Sequence, residues 1–350
     1  MAKRFKAAVL GGSGFAGAEL VRHLLVHPEV ELVRVCAADH VGEPLASALP
    51  HLEGRTSLRF ENPPPERAVE GVDVVLMGLP QDASIAVMDA ALAAGIKVID
   101  MSGAFRLQNP AAYERFYGAP HPRPDLLERF VYGLPELNRQ RIRESDLVAS
   151  PGCFATAIEL ALLPFARAGW LTGPVECVGI TGSSGSGVVP SATTHHPVRA
   201  GNLRTYKPLV HQHTPEIEEL LRTAGARDLT LAFVPVSAPL ARGIFVTAFV
   251  NVPSDIGDDD IHACVREAYD SEPFVRVPRA RLPEVVAVSG SNFAEVGVVV
   301  GRSAAGTRTV TAFSCLDNLV KGGAGQAIQN LNLMLGVEET ITLEDVGPYP

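Results

Sequence analysis

No stretch of this sequence stays apolar long enough to span a membrane. There are no internal repeats and no low-complexity tails. The nearest biased segment is Pro63-Pro64-Pro65, a short rigid loop. Cysteine is sparse: five residues, an odd number and widely spaced, which excludes a disulfide framework. Positive charge is in deficit. Thirty Lys and Arg against 39 Asp and Glu leave a net charge of −9, which argues against nucleic-acid binding through bulk charge. The basic, briefly apolar start, MAKRFKAAVL, is too short for a signal peptide and runs straight into glycines. A soluble, cytoplasmic protein with no membrane or nucleic-acid partner is expected. What is present is globular: 350 residues, 47% hydrophobic and 20% charged, fit two ordinary domains or one large one and exclude wholesale disorder.

The first hundred residues alternate strand and helix signals. Ala7 to Leu10, Glu31 to Cys36, Val72 to Leu79 and Ile96 to Met101 read as strands. Phe15 to His27 and Ser84 to Ala94 read as helices, the second closed by Gly95. This predicts an α/β, Rossmann-type parallel sheet with right-handed crossovers. After Pro151 the pattern changes to β-rich runs at Val175–Thr181, Leu229–Val236, Ile244–Val250, Val296–Val300 and Thr309–Phe313. Helical pieces at Pro215–Leu221 and Asp259–Tyr269 fall between them, so a second, α+β domain with a mixed or antiparallel sheet is expected. A last helix, Ala324 to Leu335, stops at Gly336 and fits against either domain.

Gly11-Gly12-Ser13-Gly14-Phe15-Ala16-Gly17 joins the first strand to the first helix. Glycines there let the backbone turn sharply and approach a pyrophosphate, which the amides at the helix N-terminus then bind. The alternative is a structural turn with close helix–strand packing. The end of the second strand reads Cys36-Ala37-Ala38-Asp39-His40. An acid here accepts from a ribose 2′-hydroxyl and favours NAD, whereas an arginine favours the 2′-phosphate of NADP. Asp39 is also readable as a plain loop residue, and Arg34, Arg55 or Arg59 are within reach of a phosphate.

Ser150-Pro151-Gly152-Cys153 breaks the chain after the strand Leu147–Ala149, so Cys153 stands at the start of a helix. A helix N-terminus stabilises a thiolate and lowers its pKa, and a thiolate can hold an acyl group as a thioester. The alternative is a small buried residue. That alternative is assigned to Cys36, Cys177, Cys264 and Cys315, which lie inside strand or helix patterns. His211-Gln212-His213-Thr214-Pro215-Glu216 offers two candidate bases, with Thr214 as N-cap, Pro215 as first helical residue, and Glu216 to orient His213 or meet a substrate. HxHxxE lacks the i, i+4 spacing of the helical zinc motif, and no metal is expected. His195-His196 reads as a polar loop beside Pro197 and Arg199.

Taken together, GGSGFAG at 11–17, DMSGAFRL at 100–107, VYGLPELNR at 131–139, ASPGCFATA at 149–157, HQHTPEIEE at 211–219, ARGI at 241–244 and LDNLVKGGAGQAIQNLNLMLG at 316–336 resemble the N-acetyl-γ-glutamyl-phosphate reductase family, within the wider aspartate-semialdehyde dehydrogenase group. The resemblance covers nearly the whole chain. It implies a dinucleotide-binding domain over 1–152 and 318–350, completed by the C-terminal helix, and a catalytic and dimerisation domain over 153–317. It implies NADP, a homodimer or tetramer, and reduction of an acyl phosphate through a thioester on Cys153. His213 then serves as acid/base, with Glu216 close to the substrate and His211 in reserve. Arg106, in a loop after a Rossmann strand, is the first candidate phosphate or carboxylate ligand, ahead of Arg242 and Arg204; each is equally readable as a surface or domain-bridging salt-bridge partner. Ser183, in the GSSGSG turn at 182–187, and Asn318 are candidates to approach the nicotinamide.

Two departures from the family pattern stand out. Relatives that use NADP commonly carry serine and arginine where this chain has Ala37 and Ala38, with Asp39 beside them. The segment from Thr193 to Pro208 instead resembles the branch that reduces aminoadipyl or glutamyl phosphate on an acidic amino-group carrier protein. His195, His196, Arg199, Arg204 and Lys207 there form a local basic patch able to steer such a carrier, to hold phosphate or to meet another subunit. Two further alternatives are a non-catalytic dinucleotide sensor and a dehydrogenase without covalent chemistry.

Overall fold

The computed structural model describes residues 4–304 and 306–349. They group into two units. The first takes in the chain up to Glu114, Ala119–Gly152 and Gly323–Asp345; the second takes in Arg115–Gly118, Cys153–Gly322 and the residues from Val346. No helix among the described residues is long and apolar enough to cross a membrane.

The first unit holds strands β1 (Phe5–Leu10), β2 (Val30–Cys36), β3 (Phe60–Glu61), β4 (Val74–Met77), β5 (Lys97–Asp100), β6 (Val131–Tyr132) and β7 (Leu147–Ala149). They form one sheet in the order β3-β2-β1-β4-β5-β7-β6, with every pairing parallel. β4 and β7 are buried at every position, as strands covered on both faces must be. That is why their sequences read as unbroken apolar runs rather than alternating ones. The helices Phe15–Leu25 and Gln81–Ala94 stand where the periodicity predicts. Gly95 and Gly336 close their helices in the left-handed conformation, with φ of 65° at each.

The last helix, Gly325–Leu335, belongs to this first unit, which decides between the two placements its sequence leaves open. It is buried all round, and its polar residues are placed by hydrogen bonds rather than by solvent. Asn330 Nδ2 donates to Gly133 O at 3.0 Å, and Gln329 Nε2 to Glu339 at 2.7 Å. Asn332 Oδ1 lies 2.9 Å from His27 Nε2, while His27 Nδ1 accepts the backbone N–H of Glu29 and Val30. His27 is therefore neutral, with its proton on Nε2.

The second unit holds β8 (Thr172–Thr181), β9 (Arg204–Thr205), β10 (Arg227–Ser237), β11 (Ile244–Pro253), β12 (Val275–Arg276), β13 (Ala294–Ala304) and β14 (Thr307–Leu316). Their order is β12-β13-β14-β11-β8-β10-β9. The sheet is mixed, as expected: β8–β10 and β12–β13 are parallel and the other pairings antiparallel. Residues alternate between buried and more open along β11, so one face meets helices and the other is partly solvated. The strands run longer than their apolar cores because polar residues at the ends still pair their backbones.

Helix Cys153–Arg167 lies on this sheet, buried at every residue from Phe154 to Ala166. Pro164 sits inside it and has no N–H to give the carbonyl of Leu160 one turn earlier. The hydroxyl of Tyr269, buried on helix Asp258–Tyr269, donates to that carbonyl instead. Replacing Tyr269 with Phe should strip the carbonyl of this donor and lower stability by about 1–3 kcal/mol with little change in native structure. Urea unfolding of the two proteins measures this; equal midpoints and slopes would contradict it.

Candidate active site

The glycine loop is built by close packing on one side and open space on the other. A Cβ on Gly12 would lie 2.2 Å from Val35 Cγ1, and one on Gly17 would lie 2.2 Å from Gly11 O. Gly11 N and Gly12 N both donate to Cys36 O, at 2.9 and 2.8 Å, so the loop is pinned to the end of β2. Gly14 is the N-cap of the first helix, and a Cβ there would come no closer than 3.6 Å to the nearest protein atom. Tight glycines hold the turn, and Gly14 leaves a cradle at the helix N-terminus. That is the arrangement a pyrophosphate requires. Ser13 hydrogen-bonds the exposed carboxylate of Asp39, so two residues expected at the nucleotide lie together.

At the carboxyl ends of β5 and β7 a second network forms. Ser150 N donates to Asp100 O at 2.7 Å. Arg106 Nε donates to Ser150 O at 2.9 Å, and its Nη2 to Met101 O at 2.6 Å. The Asp100 carboxylate is buried and accepts from Ser102 Oγ at 2.7 Å. Burial raises its pKa, against hydrogen bonds from Ser102 and the charge of Arg106. Arg106 thus brackets two strand ends, a use that the sequence does not reveal.

Cys153 is the first residue of its helix and only half-buried. The other four thiols are pushed up by burial: Cys36 to about 11, Cys315 to about 12, with Cys177 and Cys264 raised as well. Phe154, next to Cys153, packs edge-on against His211 and His213, with ring centroids 5.8 and 6.5 Å away. The two histidine rings are 4.6 Å apart. His213 N donates to His211 Nδ1 at 3.2 Å, so His211 carries its proton on Nε2. Burial, then the charges of His213 and Lys207, lower its pKa to about 3. His213 itself is the N-cap of helix Thr214–Thr223, one residue earlier than the sequence suggests, with Thr214 already helical. Glu216 is buried in the first turn of that helix.

The hydroxyl of Tyr206 also reaches this place. Burial first, then the nearby Cys153 thiol, push its phenol well above the ordinary range. Its ring lies 5.9 Å from His211. Sequence reasoning passed over Tyr206 because 53 positions and a basic segment separate it from the cysteine. The antiparallel pairing of β9 with β10 brings the stretch back. Gly322 packs on the same cysteine: a Cβ there would lie 2.9 Å from Cys153 Cβ.

The remaining candidates are distributed differently. Ser183 N and Ser184 N donate to Leu240 O and Ala241 O, and Gly182 N to Gly243 O, so the GSSGSG turn is zipped to the ARGI segment. Asn318 clamps that junction: Oδ1 accepts from Gly243 N at 2.7 Å and Nδ2 donates to Ser184 Oγ at 3.0 Å. Arg242 lies 3.8 Å from the fully buried carboxylate of Asp317. Arg204 is exposed on β9, and His195 and His196 are exposed with it. Among the described residues no group of three or more His, Cys, Asp and Glu side chains is placed to hold a metal ion.

A Rossmann-type dinucleotide cradle and a helix-start thiol whose neighbour Phe154 packs on two histidines point to a class of oxidoreductase. The model described as "Semialdehyde dehydrogenase, NAD binding domain" matches residues 6–145, and "Semialdehyde dehydrogenase, dimerisation domain" matches residues 153–318. An N-acetyl-gamma-glutamyl-phosphate reductase of Desulforudis audaxviator is 42% identical over 99% of each chain. A LysW-L-2-aminoadipate 6-phosphate reductase of Deinococcus radiodurans is 38% identical over 98% of this chain and 97% of the other. In fold, the chain is similar to aspartate semialdehyde dehydrogenase II of Vibrio cholerae, with a TM-score of 0.72 at 17% identity over 96% of this chain and 99% of that one. The chain belongs to the semialdehyde dehydrogenase family, in the branch that holds these reductases.

The buried histidines make stability depend on pH in a calculable direction. His211 and His23 have native pKa values of about 3 and about 4 against 6.5 when exposed. Between pH 6.5 and 4 the unfolded chain binds protons that the native one refuses, so stability is full above pH 6.5 and falls as pH drops. In His211→Asn the slope over that window should be shallower, by up to about 1 kcal/mol per pH unit. Urea midpoints measured across the window test this, and an unchanged slope would contradict a neutral, buried His211.

Proposed function

We propose that this protein reduces N-acetyl-γ-glutamyl phosphate to the semialdehyde and phosphate, with Cys153 as the nucleophile. The observation that carries the reading is the half-buried Cys153 at a helix start, close to Tyr206 and next to Phe154, whose ring packs on two buried histidines. The helix N-terminus favours a thiolate. Attack on the acyl carbon forms a C–S bond, the bond to the phosphate oxygen breaks, and phosphate leaves with its electron pair. A nicotinamide dinucleotide, held by Gly11 to Gly17 with Ser13 and Asp39, supplies the hydride when bound. His213 moves the proton that the carbonyl oxygen and the sulfur exchange as the aldehyde departs. His211, neutral and donating through Nε2, holds the substrate or His213 rather than acting as the base. Glu216 lies close to the substrate.

Among the arginines, Arg242 is a ligand for the substrate's anionic groups, its side chain partly exposed at the ARGI segment that the GSSGSG turn is zipped to. Arg106 acts chiefly through the strand ends it brackets, and Arg204 on the exposed edge belongs to recognition. Ser183 and Asn318 shape the turn offered to the nicotinamide. Dinucleotide binding falls to 1–152 and 318–350 and the chemistry to 153–317, with a homodimer or tetramer as the working assembly. A cytoplasmic setting, which keeps thiols reduced, suits five free cysteines.

A second reading has a specific basis. Segment His195–Lys207 is basic and largely exposed, and one similar reductase is named for a LysW-linked substrate. The same chemistry would then act on an aminoadipyl or glutamyl phosphate carried by an acidic protein.

Cys153→Ser should lower turnover by at least about 10³-fold while dinucleotide affinity changes less than about threefold; normal turnover would end the reading. A panel in the oxidative direction separates the two substrates. Free N-acetyl-glutamate semialdehyde with phosphate should be oxidised efficiently, and turnover only with carrier-bound aldehydes would favour the second reading.

A further inference from the structure

We infer that the adenosine end of the nucleotide site is built for NADH and rejects the 2′-phosphate of NADPH. The inference rests on the reading that the first unit binds a nicotinamide dinucleotide. The edge formed by β2 and β3, where this topology places the adenosine ribose, carries negative charge. Asp39 follows β2, exposed, with its carboxylate hydrogen-bonded to Ser13 of the glycine loop. That bond holds the carboxyl below the usual carboxylate range, so it is ionised at neutral pH. Because Gly11 and Gly12 are pinned to Cys36 O, the pyrophosphate cradle and the Asp39 turn form one framework. A ribose hydroxyl reaching this turn meets an acceptor, and a phosphate dianion meets a like charge.

The surrounding groups reinforce that sign. Glu43 is exposed on the same loop, and Glu61 stands at the end of β3, paired in register with Cys36. The cations on this edge are turned to other work. Arg34 Nη1 donates to Ala68 O and Glu70 O, at 3.0 and 3.1 Å, and its Nε lies 3.4 Å from Glu61. Arg59 Nη1 donates to Gly42 O at 2.8 Å. His40, held at a φ of 58°, places Nδ1 3.0 Å from Glu43. Ala37 and Ala38 bring neither hydroxyl nor charge, and Arg55 stands beyond them, exposed, after Leu52. A 2′-phosphate is held elsewhere by arginine forks and hydroxyl donors, and this turn presents a carboxylate in their place.

Calorimetric titration of the full chain with NADH, NADPH, 5′-ADP and 2′,5′-ADP tests the inference without reference to turnover. NADH should bind at least about tenfold more tightly than NADPH, equivalent to about 1.4 kcal/mol, and 5′-ADP should exceed 2′,5′-ADP in the same sense. Asp39→Arg should reverse the order. Asp39→Ser, a smaller change at an exposed position, should at least narrow the ratio several-fold should the arginine variant not fold. NADPH binding as tightly as NADH in the unaltered protein would overturn the inference and leave the dinucleotide reading intact. Absence of binding by either dinucleotide would overturn both.

Discussion

The guanidinium of Arg106, held between the carbonyls of Met101 and Ser150, fixes where the chain leaves its first sheet. With the backbone bond from Ser150 to Asp100, it locks the carboxyl ends of β5 and β7 in register just before Pro151 and Gly152. Proline cannot extend the ladder and glycine permits the change of direction, so Cys153 opens a helix three residues after the last locked carbonyl. Hydrogen bonds from a charged donor contribute about 1.5–3 kcal/mol each. That is enough to hold the ends of β5 and β7 together where the chain leaves the first unit.

The two units then use one device twice. In each, a helix begins directly after a glycine, at Gly14 and at Gly152, and its first amides have no partner within the helix. In the first unit those amides face a cradle kept open by Gly14 and suited to a pyrophosphate. In the second they stand at the start of the helix that Cys153 opens. What differs is the surrounding matter. The glycine loop is shaped by backbone packed on backbone, and its one charged side chain is Asp39. Beside the thiol the chain turns to rings: Phe154, the next residue, meets His211 and His213 edge-on, Tyr206 packs on His211, and Phe233 lies 5.4 Å behind His211. Burial among these rings holds His211 neutral, and His213 caps the start of its helix beside it.

Much of this was legible in the sequence, for identifiable reasons. Parallel strands buried on both faces leave unbroken apolar runs, so β4, β5 and β7 announced themselves. A glycine cluster between a strand and an amphipathic helix has few other uses. A cysteine after Pro-Gly marks itself by its position. What could not be read were contacts between residues far apart in the chain. Tyr269 supplying the donor that Pro164 withholds depends on how two helices cross. The hydrogen bonds by which Asn318 joins the Gly243 backbone to the Ser184 hydroxyl are of the same kind. The bonds of Arg106 to the Met101 and Ser150 carbonyls appear only once β5 and β7 lie side by side.

The account centres on acyl transfer to one sulfur. Intact-protein and peptide mass spectrometry after mixing the nucleotide-free protein with N-acetyl-γ-glutamyl phosphate tests it most directly. The account predicts one N-acetylglutamyl group per chain, mapped to the peptide that contains Cys153, lost to hydroxylamine and matched by an equal amount of released phosphate. An unmodified Cys153 in a protein that nonetheless turns the substrate over, or an acyl group on another residue, would contradict it.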